Sequence, residues 1–158
     1  MKIEISKILC PVDFSEYSEH ALRYALTLAI LTKADLQLLH VIEPILAYPQ
    51  PTELFEPVLN EVELTMKMEA AFHKQLDERV ATLKKDHPQV TGKLVTGNTF
   101  LEIIQAARDG GVELIIMGTH GRTGLAHVLI GSVAEKVVRE APCPVLTVKH
   151  PEHEFVKA

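Results

Sequence analysis

Residues 114–140 read LIIMGTHGRTGLAHVLIGSVAEKVVRE, and this stretch decides the fold of the chain. A short apolar run, Leu114–Met117, precedes a loop that holds four of the chain's eight glycines, and a helix-like pattern follows from Val133 to Glu140. Glycine lets the backbone turn with positive φ and approach a ligand closely, and the first turn of a helix presents unpaired N–H groups to an anion. We therefore interpret the stretch as a strand, a phosphate-binding loop and a helix start.

The glycine spacing, G-x2-G-x9-G-S from Gly118 to Ser132, differs from the common phosphate loops. The chain has no G-x4-G-K-[ST] and no G-x-G-x-x-G, so it lacks the Walker A lysine and the dinucleotide fingerprint. Arg122 follows Gly121 directly, where a guanidinium lies near any bound phosphate, and a solvated loop charge is an equal alternative. His120, in the same loop, is a further candidate for a phosphate contact.

Length and composition favour one small globular domain. Hydrophobic residues make up 47% of the 158 residues and charged residues 23%, which is sufficient for a single core. The net charge of −5 argues against a nucleic-acid partner held by a basic face. The two cysteines form neither a disulfide framework nor a C-x-x-C pair. No apolar stretch reaches the roughly 18 residues of a membrane span, so we expect a cytoplasmic protein without a membrane partner.

The eight histidines do not indicate a metal centre. No helical H-x3-H pair and no His/Cys cluster with zinc spacing occurs. His150 and His153 lie in the polar segment 150–158, which we expect to be a tail beyond a domain formed by residues 1–149. Any Mg²⁺ is expected to be held by ligand phosphates and water.

Strands and helices alternate along the rest of the chain. Ile8–Val12 and Leu36–Ile42 are apolar runs typical of buried parallel strands, and the spacing from Glu16 to about Thr32 predicts a helix between them. Four prolines between Glu43 and Asn60 predict a long loop. The further expected elements are a helix over Leu64–Leu83, a strand over Val90–Thr96, a helix from about Phe100 to Arg108 with Asn98 as its N-cap, and a last strand over Val145–Val148. The alternation predicts an α/β fold, a doubly wound five-stranded parallel sheet with helices on both faces.

In such a sheet, ligands bind at the carboxyl ends of strands where the winding direction reverses. Asp13 and Gly118 both lie at strand ends. The Asp13 carboxylate can accept hydrogen bonds from ribose hydroxyls or an adenine amino group, and capping of the helix that follows is the alternative. Ser132 and Glu135 likewise spell the capping box S-x-x-E, which accounts for both residues but not for the long glycine loop before them.

Several of these segments resemble the signature regions of the universal stress protein family. The resemblance lies in residues 117–121, 131–137 and 141–148, and it continues in residues 8–15 and 36–41. It covers most of the chain and implies a Rossmann-like sheet with the strand order 3-2-1-4-5. In that order the first and fourth strands are neighbours, which would bring Asp13 and Gly118 together.

The resemblance also assigns roles that the sequence pattern alone does not. It implies that Val41 offers its backbone N–H and C=O to the adenine edge, and that Gly118 and Gly121 line the ribose and phosphate passage. It further implies phosphate contacts from residues 131–133. The expected nucleotide-binding residues are Pro11, Val12, Asp13, Val41, Met117, Gly118, His120, Gly121, Arg122, Gly131, Ser132 and Val133. No catalytic set is visible, since His120 is the only general-base candidate near the loop.

Three functions fit these residues. The preferred interpretation is a stress-response or regulatory protein that binds ATP or a related adenine nucleotide as a homodimer, with at most slow ATP hydrolysis. An adenine-nucleotide hydrolase and a dimeric interaction module that binds no nucleotide are the alternatives. The resemblance implies that the dimer pairs through the last strand, whose residues Val145, Leu146, Thr147 and Val148 suit an apolar edge strand.

Overall fold

The computed structural model describes residues 4–44, 57–120 and 130–149, with the side chains of residues 57–62 outside the description. Within these ranges, strands and helices alternate along the chain. The strands are β1 (Lys7–Pro11), β2 (Asp35–Ile42), β3 (Val90–Thr96), β4 (Leu114–Gly118) and β5 (Val145–Val148). The helices are α1 (Glu16–Thr32), α2 (Pro57–Leu83), α3 (Thr99–Gly110) and α4 (Ser132–Glu140).

The five strands form one parallel sheet in the order β3-β2-β1-β4-β5, which confirms the predicted doubly wound α/β fold. In the register, Pro11 lies opposite Leu39 on β2, and Ile8 lies opposite Leu114 on β4. The chain leaves β1 toward one sheet edge and leaves β4 toward the other. Their carboxyl ends therefore form the switch point of the sheet.

Helices cover both faces of the sheet, and each face has its own core. On the face covered by α1 and α2, the core includes Leu36 and Leu76. On the face covered by α3 and α4, it includes Leu39 and Ile103. Central strands that are buried on both faces read as uninterrupted apolar runs, and residues 8–10 of β1 are all fully buried.

The start of α2 differs from the predicted position. We expected the loop after Glu43 to reach Asn60, but α2 already begins at Pro57. Proline lacks an N–H group, and the N–H groups of the first helical turn are unpaired, so proline is tolerated at the first position. The predicted loop between residues 45 and 56 and the predicted tail, 150–158, lie outside the described residues.

The two helices of the second face begin with different caps. Asn98 caps α3 as predicted, with its Oδ1 accepting from Leu101 N at 3.2 Å. The predicted capping box of α4 is wrong by one residue, because Gly131 is the N-cap and Ser132 is the first helical residue. Glu135 then lies one position too far along to reach the cap, and its Oε1 lies 3.5 Å from Arg139 Nη2.

Two chemical features concern membranes and metals. Within the described ranges, no helix is long and apolar enough to cross a membrane. In the same part of the chain, no group of three His, Cys, Asp or Glu side chains is placed to hold a metal ion.

Cys10 is fully buried in β1, and burial, with a smaller contribution from nearby Glu19, raises the pKa of its thiol far above the ordinary value. That thiol therefore stays protonated at neutral pH and is not a nucleophile.

Candidate functional site

A cavity of about 400 Å³ lies at the carboxyl ends of β1, β2 and β4, at the switch point of the sheet. Ten of the twelve residues expected to bind a nucleotide line it, namely Pro11, Val12, Asp13, Val41, Met117, Gly118, His120, Gly131, Ser132 and Val133. The other two, Gly121 and Arg122, lie outside the described residues. The fold therefore brings together residues that are more than a hundred positions apart in the sequence.

The loop between β1 and α1 presents the Asp13 carboxylate to this cavity. Asp13 Oδ1 accepts hydrogen bonds from Ser15 N at 3.0 Å and from Ser15 Oγ at 2.6 Å. Ser15 is the N-cap of α1, since its side chain accepts from Ser18 N at 3.3 Å. The alternative in which Asp13 caps α1 is therefore wrong, and the carboxylate instead supports the residue that does.

The main chain of Val41 adds a donor and an acceptor to the cavity. Pairing of β1 with β2 ends where Pro11 faces Leu39, and Val12 N then donates to Leu39 O at 2.9 Å. Peptide groups alternate sides along a strand, so Val41 N–H and C=O point to the same side as those of Leu39, beyond the end of β1. No described residue offers either group a backbone partner. Val41 therefore presents a donor and an acceptor side by side.

The N-terminus of α4 supplies further backbone donors. Gly131 N donates to Thr119 O at 2.7 Å, and the first bond within the helix runs from Glu135 N to Gly131 O at 3.0 Å. No side chain in the described part of the chain caps this helix. Among the described residues, the N–H groups of 132–134 have no backbone acceptor, so the helix presents three donors and its positive dipole end to the cavity.

The N-terminus of α3 also reaches the cavity, but side chains already accept from two of the N–H groups in its first turn. Thr99 donates to Glu43 Oε1 from its backbone N at 3.3 Å and from its Oγ1 at 2.7 Å. Asn98, the N-cap of α3, accepts from Leu101 N in the same turn. Both Glu43 and Thr99 line the cavity, so this end carries a carboxylate where the α4 end carries open donors.

At two glycines the backbone of a neighbouring segment passes so close that an added Cβ atom would be crowded. A Cβ atom on Gly118 would lie 3.0 Å from Tyr17 O, where α1 packs against the end of β4. A Cβ atom on Gly131 would lie 3.2 Å from Thr119 O, the carbonyl to which its own N–H donates. A larger side chain at position 118 would push α1 away from the end of β4, and one at position 131 would push the start of α4 away from Thr119.

The last described residues before the glycine loop are Thr119 and His120. Thr119 is buried, and its Oγ1 lies 2.9 Å from His120 Nδ1. The His120 ring is tilted against the Tyr17 ring, with 5.5 Å between centroids. His120 is thus held at the cavity wall by a hydroxyl and an aromatic ring.

Sequence reasoning missed several residues of the cavity. Most of them are apolar residues or helix-terminal residues whose approach depends on tertiary packing, such as Met68 and Phe72 of α2. His40 could have been noticed, since it is a polar side chain near the end of an apolar strand. The additional lining residues are Ser18, Leu39, His40, Ile42, Glu43, Met68, Phe72, Thr99, Ile103, Thr119 and Ala134.

The sequence is similar to a known protein family. Residues 4–149 match the model of the universal stress protein family. The chain belongs to this family. A universal stress protein of Methanocaldococcus jannaschii is 34% identical over 161 aligned residues, which cover 94% of this chain and 98% of the relative. The resemblance inferred from the glycine loop and the first strands is thereby confirmed.

Solved structures of other universal stress proteins share the fold. Universal stress protein UspA from Lactobacillus plantarum has a TM-score of 0.77 at 25% identity, covering 93% of this chain and 99% of that one. Two more distant structures contain adenine nucleotides. One is a universal stress protein in complex with cAMP (TM-score 0.68, 20% identity, 93% and 98% covered), and the other is an Archaeoglobus fulgidus protein in complex with dAMP (TM-score 0.59, 20% identity, 92% and 98% covered). At that identity, these two likenesses show the fold alone.

Proposed function

We propose that this universal stress protein is a cytoplasmic, homodimeric regulatory protein that binds ATP or a related adenine nucleotide in the cavity, with at most slow hydrolysis. One arrangement carries the proposal. The N-terminus of α4, whose first N–H groups have no partner among the described residues, shares the cavity with the Asp13 carboxylate and with the Val41 main chain, which has no backbone partner among them either. The groups of a nucleotide occur in the same order as these three features, with phosphates at one end, ribose hydroxyls in the middle and a hydrogen-bonding base edge at the other end. The volume of about 400 Å³ lies within the usual range of small-molecule sites.

The two helix termini at the cavity decide which end takes the phosphates. Open N–H groups and a positive dipole end favour an anion at α4, and the Ser132 hydroxyl, at the first position of α4, adds a donor there. At α3, the Glu43 carboxylate already occupies the corresponding position and repels a second anion. The phosphates therefore belong at α4, and any Mg²⁺ would be carried on them.

The other end of the cavity suits adenine. The Val41 N–H can donate to adenine N1, and the Val41 carbonyl can accept from the exocyclic N6 amino group. Guanine presents the reverse pattern at these two positions, an N1–H donor and an O6 acceptor, so it would oppose like groups. Asp13, between the two ends, can accept from ribose hydroxyls. The complexes with cAMP and dAMP support the proposal to the extent that the fold accommodates adenine nucleotides.

The homodimer is a separate part of the proposal. β5 pairs with β4 on one side, and no strand among the described residues pairs with its other side. A parallel sheet with an open apolar edge strand can extend by pairing with a second copy. Family membership supports pairing through β5, and the test is given in the Discussion.

The experiment that tests nucleotide binding is a thermal-unfolding titration with ATP plus Mg²⁺, run beside AMP. A ligand at 100 times its Kd should stabilise the folded protein by about 2.7 kcal/mol, so we expect a saturable rise in Tm for the wild type. Gly131→Val should lose this rise, because the side chain displaces the start of α4 from Thr119.

Gly110→Ala is the matched control for that titration. Gly110 is the last residue of α3, away from the cavity, and a Cβ atom added there would meet nothing closer than 3.5 Å. The Tm of the Gly110→Ala variant should therefore rise with ATP as that of the wild type does. A wild-type protein without any shift, and without copurified nucleotide, would contradict the proposal. Rapid phosphate release would instead favour the hydrolase.

A further inference from the structure

We propose that His40 acts as a positioning residue that ends the pairing of β1 with β2 and so keeps the Val41 N–H open to the cavity. The structural part of this inference concerns the protein without ligand. Its consequence for affinity rests on the proposed nucleotide function.

The first step is the hydrogen bond that His40 makes. His40 is 3% exposed, and its Nδ1 lies 2.7 Å from the Val12 carbonyl oxygen. A carbonyl oxygen only accepts hydrogen bonds, so Nδ1 carries the proton and donates it. A side chain of β2 therefore satisfies a main-chain acceptor at the end of β1.

Without His40, the Val12 carbonyl would have a different donor available, the Val41 amide. The hydrogen bonds between β1 and β2 begin with the bond from Asp35 N to Ser6 O at 2.9 Å. In a parallel pair, the same bond recurs every two residues along both strands. Continued to its next positions, the pattern would join Val41 N to Val12 O. The observed pairing stops one step earlier, where Pro11 faces Leu39. The His40 imidazole thus stands in for the Val41 amide as the donor to Val12.

The third step is what holds the imidazole there. The His40 ring packs against two phenylalanine rings, with centroids 4.7 Å from Phe14 and 4.6 Å from Phe72, and these two rings stack on each other at 6.2 Å. Phe14 has a φ of 61°, a left-handed conformation that non-glycine residues rarely adopt, so the chain turns sharply after Asp13. The aromatic contacts hold the His40 ring in place, and the ring in turn holds the Val12 carbonyl by its hydrogen bond. Val12 directly precedes Asp13. The same bond therefore also positions the carboxylate.

Amide hydrogen exchange in the protein without ligand tests the structural part directly. In the wild type, we expect the Val41 amide to exchange much faster than the Leu39 amide, although both lie in β2. His40→Phe keeps an aromatic ring but removes the donor, so Val12 O should pair with Val41 N and the Val41 amide should become protected. His40→Asn is the matched control, because the Asn side-chain N–H can occupy the position of Nδ1–H, and it should leave Val41 exposed.

Whether exchange of the Val41 amide slows or speeds up distinguishes the proposed role of His40 from a purely structural one. Loss of a merely structural contact loosens the strand and speeds exchange throughout β2, whereas the proposal requires slower exchange at Val41. Val41 protection in the wild type, or equal Val41 exchange in the wild type and His40→Phe, would overturn it. Should His40→Phe not fold, His40→Leu takes its place, because leucine is smaller, is apolar and also lacks the donor, and the same protection of the Val41 amide is expected.

The affinity for ATP gives the second readout. His40→Phe should weaken ATP binding by roughly five- to tenfold, as expected for one lost hydrogen bond, and His40→Asn should bind as the wild type does. Equal affinities for the two variants would overturn this consequence. Failure of the wild type to bind any adenine nucleotide would refute the proposed function while leaving the exchange result to judge the role of His40.

Discussion

At the residue scale, two polar side chains at helix starts have different tasks. Asn98 caps α3 through a bond from Leu101 N, whereas Ser132 follows the cap of α4 and makes no hydrogen bond with the described residues. The residue types alone suggest the same role for both, because serine and asparagine are both common N-caps. Only the backbone conformation of Gly131, extended at φ −66° and ψ 155°, moves the cap by one residue.

This difference predicts that alanine substitutions at the two positions affect different properties of the protein. Asn98→Ala should lower the free energy of unfolding by about 1 kcal/mol, because it removes a capping bond. Ser132→Ala should change it by only a few tenths of a kcal/mol but weaken ATP binding, because the hydroxyl is available to a phosphate. Denaturant unfolding and an ATP titration on both variants measure the two effects. A loss of stability in Ser132→Ala as large as that in Asn98→Ala would show that the serine caps α4 in solution.

Some site residues could be predicted from the sequence, and others could not. Asp13 and the glycines were predictable, because a carboxylate after a strand and a glycine-rich loop before a helix are local patterns. From residue types and spacing alone, Val41 appeared as an ordinary core residue. Its role depends on where the neighbouring strand stops pairing, which is a property of two strands together. The position of His40 as the donor to Val12 has the same origin.

At the element scale, the strands were predicted best. β3 and β5 have the predicted bounds, β2 and β4 are each one residue longer at one end, and β1 is shifted by one residue toward the N-terminus. Buried parallel strands must be apolar on both faces, so their limits are visible as limits of an apolar run. The start of α2 was missed because proline was interpreted as a helix breaker, although it is compatible with the first turn. The contribution of α2 to the cavity could not be predicted, since periodicity identifies the apolar face of a helix but not its neighbour.

At the scale of the whole molecule, β5 determines the proposed assembly. Ile115 N donates to Pro144 O at 3.0 Å, and Thr119 N donates to Val148 O at 3.1 Å. Because peptide groups alternate sides, the groups of Val145 and Thr147 point away from β4 and toward the open edge. A second copy would have to pair with these two residues.

The assembly predicts a specific effect of removing one outward N–H group. Thr147→Pro deletes a donor on the open edge without removing a bond to β4, and proline is tolerated at such a position. We expect this variant to be a monomer at micromolar concentration, while Thr147→Ala, which keeps the N–H, remains a dimer. Sedimentation velocity on the two variants and the wild type distinguishes these states. A wild-type monomer would refute the dimer, and a Thr147→Pro dimer would place the interface elsewhere.

We propose that an adenine nucleotide occupies the cavity at the switch point with its phosphates at α4. An amide-resolved NMR titration of the protein with ATP plus Mg²⁺ tests it most directly, because the groups proposed to bind are backbone N–H groups. We expect saturable shifts of the amides of Ser132, Val133 and Ala134, together with that of Val41, and no shift at Gly111 at the far end of α3. Amides of the cavity that do not respond to ATP, or saturable shifts confined to other parts of the chain, would contradict it.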